Sequence, residues 1–146
     1  PDGVLVWVSD SVEEHTGWPA SREMGVHSLN VNRPPPGAAE RLSWDHYRAQ
    51  RAEHLPFRDG IGERSTAHGT MLVAMSGRPR FDAGGRFIGY RGAARDVTTE
   101  VAQRELAQRA QQLLMQAMEA VHAGLMISGV IDVRRLLSKR AEKMAA

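Results

Sequence analysis

The chain has 146 residues, of which 25% are charged and 42% hydrophobic, and its formal net charge is +2. This length holds one ordinary domain and an extension. The absence of cysteine excludes disulfides, thiolate metal sites and cysteine nucleophiles. Basic and acidic residues are interspersed, so we expect no nucleic-acid partner. No apolar run approaches the roughly 20 residues that cross a bilayer, so we expect no membrane segment and a cytoplasmic location.

The first quarter of the chain alternates short structural signals with turns. Residues 4–8 form an apolar run after an Asp-Gly turn, which predicts a short buried strand. Asp10 opens a capping-box pattern for a brief helix. A further helical turn is predicted over 19–24. Three consecutive prolines forbid ladder hydrogen bonds at 34–36, so a loop is predicted over 26–37.

The middle of the chain predicts one helix followed by two strands. Residues 38–55 carry apolar and aromatic side chains at helical spacing, and Pro56 ends the pattern. Residues 57–65 and 70–79 predict strands joined by a turn. In the second of these strands, alternating methionine and valine side chains mark the face turned to the core.

A hairpin leads into the last third of the chain. Two adjacent glycines follow Asp82 and supply the positive φ that a tight turn needs. Residues 87–97 then predict another strand. Gly89 and Gly92 weaken this strand unless something approaches its backbone closely, so we expect a helix or a ligand to pack there.

The remaining residues predict two helices. Residues 99–128 contain no proline and many helix formers. Glycines at 124 and 129 predict a break, after which 130–146 predicts a basic amphipathic helix. The longer helix carries two apolar stripes, which favour either packing on the sheet or a parallel dimeric coiled coil. One stripe is Leu106, Ala110, Leu113, Ala117 and Ala120, and the other is Leu114, Met118, Val121 and Leu125.

One segment resembles the last two strands and the exit motif of a PAS sensor domain. It reads Ser-Gly-Arg-Pro-Arg-Phe-Asp-Ala-Gly-Gly-Arg-Phe-Ile-Gly-Tyr-Arg-Gly-Ala-Ala-Arg-Asp-Val-Thr over residues 76–98. In that family an Asp-(Ile/Val)-Thr triplet joins the domain to a signalling helix, and Asp96, Val97 and Thr98 match it. Residues 7–18 resemble the family's second strand and the helix after it. The family's first strand is therefore expected to be missing.

The resemblance covers about residues 3–98 and implies an α+β fold. We expect a PAS-like antiparallel sheet with helices on one face, followed by a long C-terminal signalling helix. The chain accordingly divides into a PAS domain at 1–98, a signalling helix at 99–128 and a basic helix at 129–146. The strand pattern gives four strands, one fewer than a PAS sheet has.

The resemblance also implies a ligand pocket between the helix over 38–55 and the sheet. Four side chains are expected to line it, although each is also typical of a plain core: Trp44, Phe57, Met75 and Tyr90. Arg58 or Arg91 is available there for a carboxylate ligand.

No catalytic motif occurs in the sequence. There is no Gly-x-Ser-x-Gly, no Gly-x-x-x-x-Gly-Lys and no His-Glu-x-x-His. A single histidine suffices for haem, and His46 resembles in location the axial ligand of haem-binding PAS domains, with His54 as the second choice. The alternative is an exposed histidine beside Asp45. A flavin photosensor that forms a thiol adduct would need a cysteine, so the cofactor is left open.

These features predict a non-enzymatic sensory and dimerisation module of a larger signal-transduction protein. The resemblance implies a bacterial two-component type, such as a histidine kinase or a diguanylate cyclase, with an output domain and a small-molecule ligand as partners. Asp96, Val97 and Thr98 would relay the signal, and a homodimer would form through Leu106, Leu113 and Leu114. The alternatives are a haem- or flavin-binding redox or gas sensor and, from the basic tail, a DNA-binding regulator.

Overall fold

The computed structural model describes residues 3–145, apart from the side chains of Ile127 and of 129–133. The start of the predicted basic helix over 129–146 therefore lies, for its side chains, outside the described residues. Its contacts form two units, Pro1–Val101 and Ala102–Ala146. No helix within residues 3–145 is long and apolar enough to cross a membrane. In chain order the elements are α1 (Ser11–Thr16), a 3-10 turn (Ala20–Arg22), α2 (Ser28–Val31), β1 (Asn32–Arg33), α3 (Ala38–Ala52), β2 (Phe57–Thr66), β3 (Gly69–Phe81), β4 (Phe87–Asp96) and α4 (Thr98–Ala145).

The strands form one antiparallel sheet in the order β1-β2-β3-β4. β3 and β4 pair from Val73 opposite Asp96 to Phe81 opposite Phe87. A bulge between Phe57 and Gly60 shifts the register of β2 against β3. The antiparallel α+β architecture predicted from the sequence is confirmed.

The main core lies between α3 and one face of the sheet, called here the inner face. Trp44 and Tyr47 of α3 are buried against alternating residues of β3. Alternation follows from the strand period of two, which sends every second side chain to the same face. The buried side chains of this core are Trp44, Tyr47, Met71, Val73 and Met75.

A smaller core lies on the opposite face, called here the outer face. Ala74 of β3 packs with Val97 and with Val101 in the first turn of α4, and Leu72 is partly buried beside them. The start of the exit helix is therefore fixed to the outer face of the sheet.

The two predicted turns between strands are confirmed. In the β3–β4 turn, Oδ1 of Asp82 accepts hydrogen bonds from the N–H groups of Gly84 and Arg86, both at 2.9 Å. Gly85 has φ +79°, a value that favours glycine. Between β2 and β3, the chain turns at Ala67 and His68. A carboxylate that bonds nearby backbone amides and a glycine at positive φ together close a hairpin turn.

The prediction of a buried strand over 4–8 is wrong. Val4 makes an isolated bridge with His27, and the side chains of Val6 and Trp7 are 88% and 74% exposed. Residues 4–8 are not part of the sheet. They form backbone hydrogen bonds with a nearby segment, and the N–H of Leu5 donates to the carbonyl of Val26. The fourth strand is instead β1, which lies inside the stretch predicted to be a loop.

The predicted helix break between Gly124 and Gly129 is also wrong, because α4 runs from Thr98 to Ala145. Each helical glycine costs about 1 kcal/mol relative to alanine. A cooperative helix without proline absorbs that cost.

The structure places no helix against the two glycines of β4, and a close approach occurs at one of them only, from the neighbouring strand. A Cβ on Gly92 would collide with the backbone carbonyl of Ser76 on β3. Nothing lies within 4 Å of such an atom on Gly89, whose φ of +137° accounts for the glycine instead.

Candidate functional site

A row of aromatic rings crosses the inner face from α3 to β4. The ring centroids of Trp44 and Tyr47 are 5.4 Å apart, those of Tyr47 and Phe57 4.8 Å, and those of Phe57 and Tyr90 5.2 Å. Phe87 continues the row at 5.3 Å from Tyr90. These spacings lie within the range of favourable aromatic pairs. The row therefore joins the middle of α3 mechanically to β4.

Glycines on the inner face make room for these rings. A Cβ on Gly60 would lie 2.6 Å from Cβ of Tyr47, and one on Gly62 would lie 2.8 Å from Cζ3 of Trp44. A Cβ on Gly77 would lie 2.5 Å from Cζ of Phe57. The space above these glycines is thus filled by the chain's own side chains.

Of the four residues predicted to line the pocket, three lie on the inner face and Trp44 lies on α3, which packs against that face. Trp44 and Met75 are buried in the main core, Phe57 packs against it, and Tyr90 contacts Phe57. Their mutual packing is that of a core. A role for them in holding a ligand stays a prediction.

The two arginines predicted to face a ligand carboxylate do not reach this region. Arg91 is exposed and follows Tyr90, so strand alternation places it on the outer face. Arg58 is exposed in the bulge of β2. The arginine that does reach the aromatic row is Arg51 of α3, which the sequence patterns did not single out.

Arg51 links α2, α3 and the aromatic row. Its Nη1 donates to the hydroxyl of Tyr47 at 2.8 Å and to Oγ of Ser28 at 2.9 Å. Its guanidinium carbon lies 5.5 Å from the ring centroid of Tyr47 and 5.8 Å from that of Tyr90. At these distances the cation is attracted to both rings. A helical residue four positions after Tyr47 could have been found from the i, i+4 spacing.

Tyr90 ties β4 to the segment that follows α3. Its hydroxyl donates to the carbonyl of Leu55 at 2.9 Å. Burial raises the pKa of Tyr90, and the nearby charge of Arg51 opposes this effect in part. Tyr90 therefore links β4 to the segment between α3 and β2.

The histidines considered for haem lie away from the inner core. α3 turns Glu40, Trp44 and Tyr47 inward, whereas His46 is exposed. His54 is exposed too and stacks on the ring of Phe87 with centroids 3.8 Å apart. The position of His46 therefore does not fit an axial ligand between α3 and the sheet. No cluster of three potential metal ligands occurs among the side chains that the structure describes.

A buried ion pair lies next to β1. Arg64 of β2 pairs with Glu23, and their side chains are only 10% and 8% exposed. Arg64 lies opposite Asn32 in the ladder. Nε of Arg64 and Oδ1 of Asn32 are buried with no hydrogen-bond partner, as is Nε1 of Trp44. Charged residues at 23 and 64 gave no sequence signal, because their partners are 41 positions apart.

The exit triplet forms a hydrogen-bonded joint between sheet and helix. Oδ1 of Asp96 accepts from the N–H of Thr98 at 2.9 Å and from its hydroxyl at 2.7 Å. The N–H of Leu72 on β3 donates to Oγ1 of Thr98 at 2.9 Å. The N–H of Val97 donates to the carbonyl of Leu72 at 2.8 Å. The first turn of α4 is therefore bonded to the central part of the sheet.

The leucines predicted for a dimer contact are exposed on α4. Leu106, Leu113 and Leu114 are 69%, 66% and 62% exposed. Exposed apolar residues that recur along a helix commonly mark a contact surface.

No family model matches the sequence, and no curated protein matches it. Solved structures of light-oxygen-voltage (LOV) proteins do. An RNA-binding LOV receptor superposes with a TM-score of 0.62 and 21% identity over 77% of this chain, which spans only 31% of that receptor. The light-state LOV domain of the blue-light photoreceptor Aureochrome1 superposes with a TM-score of 0.57 and 16% identity. The match covers 75% of this chain and 84% of that domain. A LOV domain studied with a flavin analogue superposes with a TM-score of 0.56 and 17% identity. That match covers 77% of this chain and 81% of the other.

One of these neighbours was studied with a flavin analogue. Here the chain's own rings cover Gly60, Gly62 and Gly77, and the sequence contains no cysteine for a thiol adduct. A flavin on the inner face would therefore have to displace these rings. The agreement with these neighbours lies in the backbone. LOV domains are PAS-fold sensor domains, so the antiparallel sheet, α3 and the exit helix of this chain have the fold of a PAS sensor domain.

Proposed function

We propose that the chain is a sensory and dimerisation module that has no catalytic machinery of its own. A change in the inner core would be passed along β4 to the joint at Asp96 and Thr98, and from there into α4. The observation that carries this proposal is the double link of Leu72 to Val97 and Thr98. Because two hydrogen bonds join Leu72 to Val97 and Thr98, a shift of β3 would also move the first turn of α4.

The input would enter through Tyr90. Its ring lies at the β4 end of the aromatic row, and its hydroxyl bonds the segment after α3. A displacement of α3 relative to the sheet would therefore change the position of β4. A small polar ligand or a change in the core near the unsatisfied groups of Asn32 and Arg64 is the kind of event that would displace it.

The output would pass through paired α4 helices. The exposed leucine stripe supports a parallel homodimer, in which two arrangements of the helices correspond to two signalling states. The parent would be a longer, cytoplasmic signalling protein of the histidine kinase or diguanylate cyclase type, with its output domain following α4.

A double-mutant cycle tests the relay. The free energy of opening of the first turn of α4, measured by hydrogen exchange, is compared in Tyr90→Phe, Asp96→Ala and the double variant. The relay predicts a coupling of about 0.5 kcal/mol or more, whereas independent sites add within about 0.3 to 0.5 kcal/mol. Tyr90→Phe combined with Asp45→Ala, an exposed position on α3, is the matched control and should add. Additive effects of Tyr90→Phe and Asp96→Ala would contradict the proposal.

The second candidate is a sensor that holds haem or flavin. The LOV neighbours favour it, whereas the filled inner face opposes it. A cofactor that absorbs visible light and co-purifies with the chain in stoichiometric amount would establish this alternative over the first.

The third candidate, a DNA-binding regulator, rests on the basic residues of the C-terminal part of α4. Binding to DNA through those residues would weaken steeply with added salt. Binding releases the cations condensed on the DNA phosphates, and a higher salt concentration opposes that release. Binding that is insensitive to salt would remove this candidate.

A further inference from the structure

The C-terminal end of α4 carries an apolar face within a basic stretch, residues 134–145, called here the basic segment. Leu137, Ala141 and Met144 follow the i, i+4, i+7 spacing that places side chains on one face of a helix. Leu137 and Met144 are 61% and 82% exposed. This apolar face is therefore uncovered within the part of the chain that the structure describes.

The cations of the basic segment are exposed as well, and none forms an ion pair with a side chain that the structure describes. On an ideal helix Arg134 and Arg140 lie roughly 60° to either side of the apolar face. Arginines in such positions bury their aliphatic stems beside apolar groups and keep the guanidinium groups in a polar layer. The basic residues are Arg134, Arg135, Lys139, Arg140 and Lys143, and the acidic one is Glu142.

The proposed dimer contact does not account for this apolar face. Continued at the same alternating spacing of three and four, the first apolar stripe of α4 reaches Arg134 and Ser138, and the second reaches Arg135 and Lys139. Polar and charged side chains at these positions do not continue an apolar seam. The exposed leucine and methionine of the basic segment therefore lie outside the proposed contact between two helices.

The chemistry of the basic segment favours a lipid surface over other partners. A groove in a protein takes bulky anchors at i, i+4 and i+7, whereas the middle position here is Ala141. A nucleic acid would attract the cations but leave Leu137 and Met144 in water. A bilayer of anionic lipids attracts each cation near its surface and takes up apolar side chains without a shaped pocket.

We propose that the basic segment binds the surface of a membrane that contains anionic lipids. Leu137 and Met144 enter the boundary between headgroups and acyl chains, and Arg134 and Arg140 lie at the headgroups. The contact is peripheral and does not cross the bilayer. It goes beyond the sensory role proposed above and does not depend on it.

Co-sedimentation of the full chain with lipid vesicles tests the proposal. The probe vesicles contain phosphatidylcholine mixed with phosphatidylserine, and the control vesicles contain phosphatidylcholine alone. At low salt the chain should bind the anionic vesicles at least about tenfold more tightly, and added salt should reduce the difference. Arg134→Gln combined with Arg140→Gln should weaken binding to the anionic vesicles about tenfold or more, because each cation near the surface adds attraction.

Leu137→Gln distinguishes an inserted helix from a purely electrostatic attraction. This variant keeps every charge and should still weaken binding to the anionic vesicles about tenfold, because the leucine no longer leaves water on binding. The matched control, Arg41→Gln combined with Arg48→Gln on α3, removes the same charge elsewhere and should leave binding unchanged. All the replaced side chains are exposed, so the variants should stay folded.

Absence of binding to the anionic vesicles at low salt, equal binding to the neutral vesicles, or an equal loss in the α3 control would overturn the proposal. Unchanged vesicle binding by Leu137→Gln would also overturn it, because the apolar face would then play no part. Duplex DNA that displaces the chain from the vesicles and binds Leu137→Gln as tightly as the natural chain would overturn it in favour of a nucleic-acid partner.

Discussion

Oγ1 of Thr98 accepts a hydrogen bond from the backbone N–H of Leu72 at 2.9 Å. Through this bond a side chain of the exit helix takes the place of a ladder partner for β3, beyond the end of β4. A threonine at this position thus serves the sheet and the helix at once.

Replacement of Asp96 tests the joint directly. Asp96→Ala removes the acceptor for both the N–H and the hydroxyl of Thr98, and it should cost about 0.5 to 2 kcal/mol, as the loss of a helix cap does. The sheet should stay folded while the first turn of α4 exchanges its amide hydrogens faster. Asp45→Ala on α3 is the control. Global unfolding, or unchanged exchange of that turn, would show that Asp96 has another role.

A methyl group at Gly60 should be costly. A Cβ there would meet Cβ and Cγ of Tyr47, which cannot move without displacing α3. Gly60→Ala should lower the free energy of unfolding by about 1 to 3 kcal/mol. Gly124→Ala has open space around it and should raise the free energy by about 0.5 to 1 kcal/mol. Denaturant unfolding of both variants measures the contrast, and equal stabilities would refute the close packing at Gly60.

The raised pKa of Tyr90 predicts a loss of stability in alkali. Because burial holds the proton more tightly in the folded chain, the contribution is complete below the ordinary tyrosine pKa of about 10 and disappears as the pH rises through the folded pKa. Urea unfolding between about pH 8 and 11 should therefore show a steeper decline for the natural chain than for Tyr90→Phe. Parallel declines would assign the alkaline loss to other groups.

The buried pair of Glu23 and Arg64 predicts strongly unequal single and double variants. Glu23→Gln or Arg64→Met alone leaves a buried group without its partner and should cost about 3 to 5 kcal/mol. The double variant should cost less than the sum of the two. Thermal unfolding of all three measures the coupling, and simple additivity would mean that the two side chains do not depend on each other.

The proposed dimer predicts that Leu113→Glu dissociates it. Burying one leucine contributes about 1.5 to 3 kcal/mol, and a glutamate would bring like charges together across a parallel contact. Sedimentation should show a monomer for Leu113→Glu and a dimer for Gln112→Glu. The second variant is the control, because it introduces the same negative charge outside the two stripes. A natural chain that is monomeric at high concentration would end the coiled-coil hypothesis.

Most of the fold could be predicted because its signals are local. The turn at Asp82, the alternation along β3 and the exit triplet are each set by neighbours in sequence. The strand predicted over 4–8 failed because an apolar run does not specify its pairing partner.

The candidate site was harder to predict for a similar reason. Trp44, Phe57, Met75 and Tyr90 meet between α3 and the inner face, as the resemblance implied, and strand alternation had indicated this for Met75 alone. The positions of Arg51, Arg58 and Arg91 depend on the face of each element and on a bulge. The pair of Glu23 and Arg64 depends on tertiary contact alone.

β4 ends the sheet within the described part of the chain, so one of its edges offers unpaired backbone groups. Such an edge readily recruits a foreign strand, and charged side chains along it are one of the means by which proteins prevent aggregation. Arg91 and Arg95 occupy that position here. High ionic strength, which shortens the screening length to about 3 Å at 1 M, should weaken this protection against pairing at the edge of β4.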